Sequence, residues 1–168
     1  MSRLTRLFPI LALGAILASC SDDNDDPIID AFDETRYVGS WAGTWNNSTF
    51  SSSGTVTANV TINSNNLVMV VDLGGNVFGG GDPASETFTV TFGGTSARLE
   101  ATNSSTYGVV TGELSANGDF EITGTNVPGG NVTGFQVNGN WGRNTISASV
   151  AITLAGSNAN ATAVLNKQ

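Results

Sequence analysis

From residue 37 onward, apolar and polar residues take turns along most of the chain. In Thr55–Asn63 every even position is apolar (Val56, Ala58, Val60, Ile62) and every odd one polar. The same period of two runs through Thr87–Phe92 and Thr145–Leu154. Successive side chains of an extended chain point to opposite faces, so this pattern predicts strands with one buried and one wet face. Thr occupies many wet positions, and its branched Cβ favours extended backbone. Alternation and turn signals together predict strands near 38–46, 55–63, 66–73, 87–92, 97–103, 106–115, 119–125, 132–141, 145–154 and 158–166. No segment of this region carries a helical period.

The punctuation between strands is short. Asn117-Gly118 predicts a type I′ turn closing a tight hairpin. Asn65-Asn66, Gly93-Gly94, Gly129-Gly130, Gly142 and Gly156 mark further turns. Short links between consecutive strands predict an antiparallel meander, and closing it into a barrel of about 8–10 strands removes its edges. A two-sheet β-sandwich is the alternative. The longest irregular piece, Gly74–Pro83, is rich in Gly, but a phosphate cradle requires a helix start behind the loop. A strand follows instead, so a rim loop is expected, with Phe78 either anchoring it or touching a ligand.

The first 36 residues break the pattern. Arg3 and Arg6 precede an apolar run, Leu7–Leu17, interrupted by Pro9 and Gly14 and followed by the small residues Ala18 and Ser19. This is the build of a secretory signal, and the run is too short to span a bilayer. Leu17-Ala18-Ser19-Cys20 resembles the bacterial lipobox. That resemblance implies removal of a signal peptide at 1–19, a diacylglycerol on the Cys20 sulfur and a palmitate-like acyl chain on its amine. Cys20 is the chain's single cysteine, so the fold closes without a disulfide. Two or more acyl chains anchor stably. The expected partner at this end is therefore the membrane, and the expected address the bacterial outer membrane.

Residues 20–36 are expected to form an acidic tether. Asp22, Asp23, Asp25, Asp26, Asp30, Asp33 and Glu34 supply half of the chain's 14 carboxylates. Such a block repels itself and stays solvated. As a flexible coil the tether would span roughly 20 Å. Asp22-x-Asn24-x-Asp26 starts like a calcium loop, but Pro27 stands where that loop needs Gly and Asp33 where it needs Glu. Ser21–Asp26 resembles acidic export signals that carry some lipoproteins to the cell surface; the periplasmic face is the other option.

The remaining domain, 37–168, is of single-domain size. Arg36, Arg98, Arg143 and Lys167 form no basic stripe, which argues against nucleic acid. His is absent, so a His general base and the usual His metal sets are excluded. The carboxylate pair best placed for hydrolysis is Glu113 and Glu121, opposed across the 117–118 turn; two solvated strand residues explain that spacing more simply. We therefore expect no catalytic residues, no metal, and no cofactor beyond the covalent lipid on Cys20. A monomer is expected.

Tyr37-Val38-Gly39-Ser40-Trp41-Ala42-Gly43-Thr44-Trp45 carries Gly-x-Trp twice. With the all-strand meander and the closing Ala163–Lys167, it resembles lipocalin-like barrels. The family's other loop motifs and its C-terminal helix are missing from this chain. The resemblance implies that the first-strand Trp plugs one barrel end beneath a basic side chain from a late strand, for which Arg143 is the candidate. Gly43–Phe50 also resembles the opening strand of avidin-type biotin binders, but only Trp141 follows to build such a pocket. The candidate ligand-binding residues are Trp41, Trp45, Phe78, Tyr107, Phe135, Trp141 and Arg143. Core and barrel-end packing is the simpler role for most of these aromatics, and for Phe120. The expected role is binding a small apolar or amphipathic ligand, or a glycan; a structural or adhesive surface lipoprotein is the alternative.

Overall fold

The computed structural model describes residues 31–78, 81–128 and 130–168. The signal-like segment, Cys20 and the acidic run up to Asp30 lie outside the described residues. Ten strands follow one another: β1 Gly39–Asn47, β2 Ser52–Asn63, β3 Asn66–Leu73, β4 Glu86–Gly93, β5 Ser96–Ser104, β6 Gly108–Ser115, β7 Asp119–Thr125, β8 Val132–Trp141, β9 Thr145–Leu154 and β10 Ser157–Lys167. Each pairs antiparallel with the next, and β10 returns to β1 in the register Trp41 to Lys167, so the sheet closes into a barrel. Closure removes every edge and settles the choice against a sandwich.

The period of two maps onto the wall. Val56 and Val60 of β2, Leu67 of β3, Phe88 and Val90 of β4 and Ile146 and Ile152 of β9 are buried, while the Thr and Ser between them are exposed. Two local expectations change. The 117–118 turn is not type I′, because Asn117 keeps a negative φ. The Gly118 N–H donates to the Ser115 carbonyl (2.9 Å), and Gly118 alone takes φ +96°, which suits a type I turn followed by a glycine bulge. β6 starts at Gly108 rather than 106, because the Ser104 hydroxyl accepts the N–H groups of Thr106 and Tyr107 and bends the chain into a turn.

An up-and-down barrel sorts its links by end. The links at 64–65, 94–95, 116–118 and 142–144 lie at one end, and those at 48–51, 74–85, 105–107, 126–131 and 155–156 at the other. The first end is plugged. Phe32 stacks on Tyr37 (5.1 Å) and Phe92 (5.9 Å), and Trp141 meets Tyr37 (5.2 Å) and Trp41 (5.5 Å) edge to face. Such aromatic pairs add to their area burial. The folded body thus starts before residue 37. Phe32 is buried, and a 3-10 turn at Glu34–Arg36 leads into β1. The Arg36 guanidinium donates to the carbonyls of Ala116, Asn117 and Trp141 and staples this segment across the end.

The basic partner of Trp41 is not Arg143. Lys167, at the tip of β10, places its Nζ 5.2 Å from the Trp41 ring centre and donates to the Arg36 carbonyl (3.3 Å). The register brings Lys167 opposite Trp41, whereas Arg143 sits in the β8–β9 link, beside Asp33 and Asn144.

The closing seam is tight at Gly43. A Cβ there would fall onto the backbone carbonyl of Val164 in β10, which cannot move without breaking the ladder. Gly43→Ala is expected to destabilise the fold by about 1–3 kcal/mol or more, as overpacking does. Thermal unfolding would show it as a lowered midpoint; an unchanged midpoint would mean that the seam has slack.

Candidate functional site: the barrel interior

Ten strands enclose a wider bore than eight, and eight already suffice to hold one small ligand. The inward side chains here are mostly small or medium: Val56, Ala58, Val90, Ala97, Val137 and Ala161 all face the interior. They leave a cavity of about 1230 Å³ above the aromatic plug. Its wall is predominantly apolar through Leu67, Met69, Leu99, Ile122 and Ile152. Residues of the 74–85 and 126–131 links form its mouth, among them Asn76, Asp82, Val127 and Asn131.

Five of the seven candidate binding residues line this space: Trp45, Phe78, Tyr107, Phe135 and Trp141. Trp41 does not; only 1% exposed, it belongs to the plug beneath the floor. Arg143 does not either, being at the closed end. Phe78 reaches inward from the glycine-rich link, stacks on Phe135 (5.6 Å) and meets Tyr107 edge on (6.1 Å). It does so with φ +58°, an uncommon conformation for a bulky residue. Trp45 donates from Nε1 to the Gly74 carbonyl (2.9 Å) and so ties the start of that link to the wall. Sequence alternation marked inward positions as core without showing that they stop short of one another. Phe50 was missed as well: it lines the mouth and is 59% exposed, and it lies in a turn without periodicity.

Tyr107 is 5% exposed, and its hydroxyl has no hydrogen-bond partner among the described residues. Burial pushes this hydroxyl up to about 12, and repulsion from Glu86 and Asp72 adds to the shift. The folded state therefore favours the protonated phenol relative to the unfolded chain, whose value is 10.0. That contribution is complete below pH 10 and lost as pH rises towards 12. It amounts to about 2–3 kcal/mol. Tyr107→Phe is expected to flatten this alkaline loss in denaturant titrations at stepped pH; an equal loss in the variant would place its origin elsewhere.

Glu113 and Glu121 do sit opposite each other on β6 and β7, but both are exposed. Each turns to its other neighbour: Arg98 donates to Glu113 (3.2 Å), and Gln136 Nε2 donates to Glu121 (2.6 Å). Glu113 borders the barrel cavity but turns its carboxylate to Arg98, and Glu121 does not line that cavity, so the two carboxylates do not share it. Among the described residues no three His, Cys, Asp or Glu side chains are gathered as a metal set.

No protein-family profile and no curated protein sequence matches the chain. Its fold is similar to that of Rv2717c from M. tuberculosis, with a TM-score of 0.57 and 16% identity, covering 83% of this chain and 99% of that one. It is also similar to a protein of unknown function of the DUF3598 family from Nostoc punctiforme PCC 73102, with a TM-score of 0.57 and 10% identity over 82% of this chain. The chain spans 50% of that second protein's length. At these identities the likeness is one of fold.

Proposed function

We propose that this is a lipid-anchored protein of the bacterial cell envelope that holds a small apolar or amphipathic molecule inside its barrel. The observation that carries the reading is the cavity of about 1230 Å³ with a predominantly apolar wall. A hydrophobe gains roughly 25 cal/mol for each Å² of apolar surface it buries there. The same wall disfavours a glycan, whose hydroxyls would lose water without finding partners at mid-barrel. The protein acts by binding rather than catalysis in this reading, since Glu113 and Glu121 are exposed and each is engaged by a different strand, Glu113 by Arg98 and Glu121 by Gln136, rather than paired in one cleft. The anchor rests on the lipobox-like Leu17–Cys20, and it makes the outer membrane the proposed address.

Two experiments test the two halves. The mature chain carrying Cys20→Ser, titrated with the apolar dye N-phenyl-1-naphthylamine, should show a saturable fluorescence rise at one dye per barrel; no uptake would remove the binding reading. In cells, radiolabelled palmitate should enter the wild-type protein and not Cys20→Ser. Equal labelling of both, or labelling of neither, would remove the anchor.

A further inference from the structure

Most cations of the barrel gather at one end, where Asp33, Glu34 and Asp119 also stand. Three of the four cations among the described residues, Arg36, Arg143 and Lys167, gather at the plugged end. The fourth, Arg98, is paired with Glu113 on the outer wall. Among the described residues, the charged groups at the mouth are carboxylates. Asp82 lines the cavity and accepts the Gly75 N–H (2.7 Å). Glu86 opens β4 at the same end and accepts from the Ser104 hydroxyl (2.8 Å) and the Thr106 N–H (3.2 Å), directly before Tyr107. Asp72, between the cavity-lining Val71 and Leu73, is exposed on the outer face near the mouth end of β3, so Asp82 is the carboxylate that lines the cavity itself, with Glu86 and Asp72 beyond it.

Between this acidic rim and the apolar bore lies an aromatic collar formed by Phe78, Tyr107 and Phe135, with Trp45 and Phe50 beside it. Aromatic faces attract cations, the more so when water is excluded. Tyr107 adds a buried hydroxyl in the cavity wall that has no partner among the described residues. An apolar tail in the bore would leave its polar end at this collar. There an anionic head meets like charge and no cation, whereas a cationic head meets carboxylates and aromatic faces together.

We propose that the cavity selects amphiphiles with a cationic head, of the alkylammonium class, over those with an anionic one. This rests on the binding role above and names the ligand class for the same cavity. The apolar plug and the carboxylates of the mouth also imply orientation: the tail points to the plug, and the head stays at the mouth.

The test uses the mature Cys20→Ser chain loaded with N-phenyl-1-naphthylamine. The dye is displaced by dodecyltrimethylammonium or dodecanoate below their micellar concentrations, or by dodecanol below its solubility limit. At low salt the ammonium should displace at about fivefold lower concentration than the alcohol, and the carboxylate should be the weakest, as partly screened charges at such range imply. The preference should shrink in high salt. In the triple variant Asp72→Asn, Asp82→Asn, Glu86→Gln, which keeps the side-chain oxygens that accept hydrogen bonds, the ammonium should fall to the level of the alcohol while the alcohol is unchanged. Dodecanoate binding as tightly as the ammonium, or a cation preference surviving in the triple variant, overturns the inference and leaves the binding role standing. Failure of the dye itself to enter removes the role as well.

Discussion

Replacing Trp41 by Ala is expected to lower the unfolding midpoint by about 6–20 °C. The argument runs from position to energy. Trp41 is 1% exposed at the start of β1, where that strand meets β10 and closes the ring. Its ring meets Trp141 edge to face (5.5 Å) and lies under Lys167 Nζ (5.2 Å), and its Nε1 donates to the Tyr37 carbonyl (3.1 Å). Truncating a buried Trp costs about 3–5 kcal/mol, in transfer energy and in the hole left behind. For a domain of this size each kcal/mol moves the midpoint by about 2–4 °C. Trp41→Phe should fall between the two, keeping apolar area and losing the hydrogen bond. Because Trp41 lies below the cavity floor, dye stoichiometry measured in the cold should be unchanged. A small midpoint shift, or lost binding without lost stability, would contradict its placement in the plug.

The second large effect is on binding. Met69 of β3 and Val137 of β8 both face the cavity, on strands five places apart in the ring of ten and therefore across the bore from each other. Met69→Trp with Val137→Trp would project two indoles towards the axis from opposite walls. In a packed core such a change brings strain. Here the side chains enter empty space and bury fresh apolar area, so stability should hold or rise. Dye uptake should fall at least about tenfold. A double variant that unfolds would show that the interior has no room; one that binds as before would show that the dye sits elsewhere.

The alternation carried most of the fold. β3, β7, β8 and β9 have the ends that the period of two and the turn residues imply, although an irregularity at Val132–Gly134 breaks the alternation at the start of β8. What escaped depended on contacts between distant residues. The sequence offers nothing to favour Lys167 over Arg143 beneath the Trp41 ring; only the β1–β10 register does. Phe32 looked like part of an acidic tether because its neighbours are Asp30, Asp33 and Glu34, yet it supplies one ring of the plug. Most of the site was legible as candidate aromatics, and five of seven do converge. The cavity was not legible as such, since Val and Ala at inward positions read alike whether they meet a partner or stop at a void. The clustering of cations became visible only when the strands put Arg36, Arg143 and Lys167 at the plugged end, away from Asp72, Asp82 and Glu86 at the mouth.

The account stands on the barrel being hollow with an apolar wall. Crystals of the mature Cys20→Ser chain held under xenon would test this directly, since an apolar cavity takes up xenon where a filled one does not. Xenon is expected inside the ring, between the plug formed by Trp41 and Trp141 and the collar formed by Phe78 and Phe135. Side chains meeting across the axis, with no xenon between them, would contradict it.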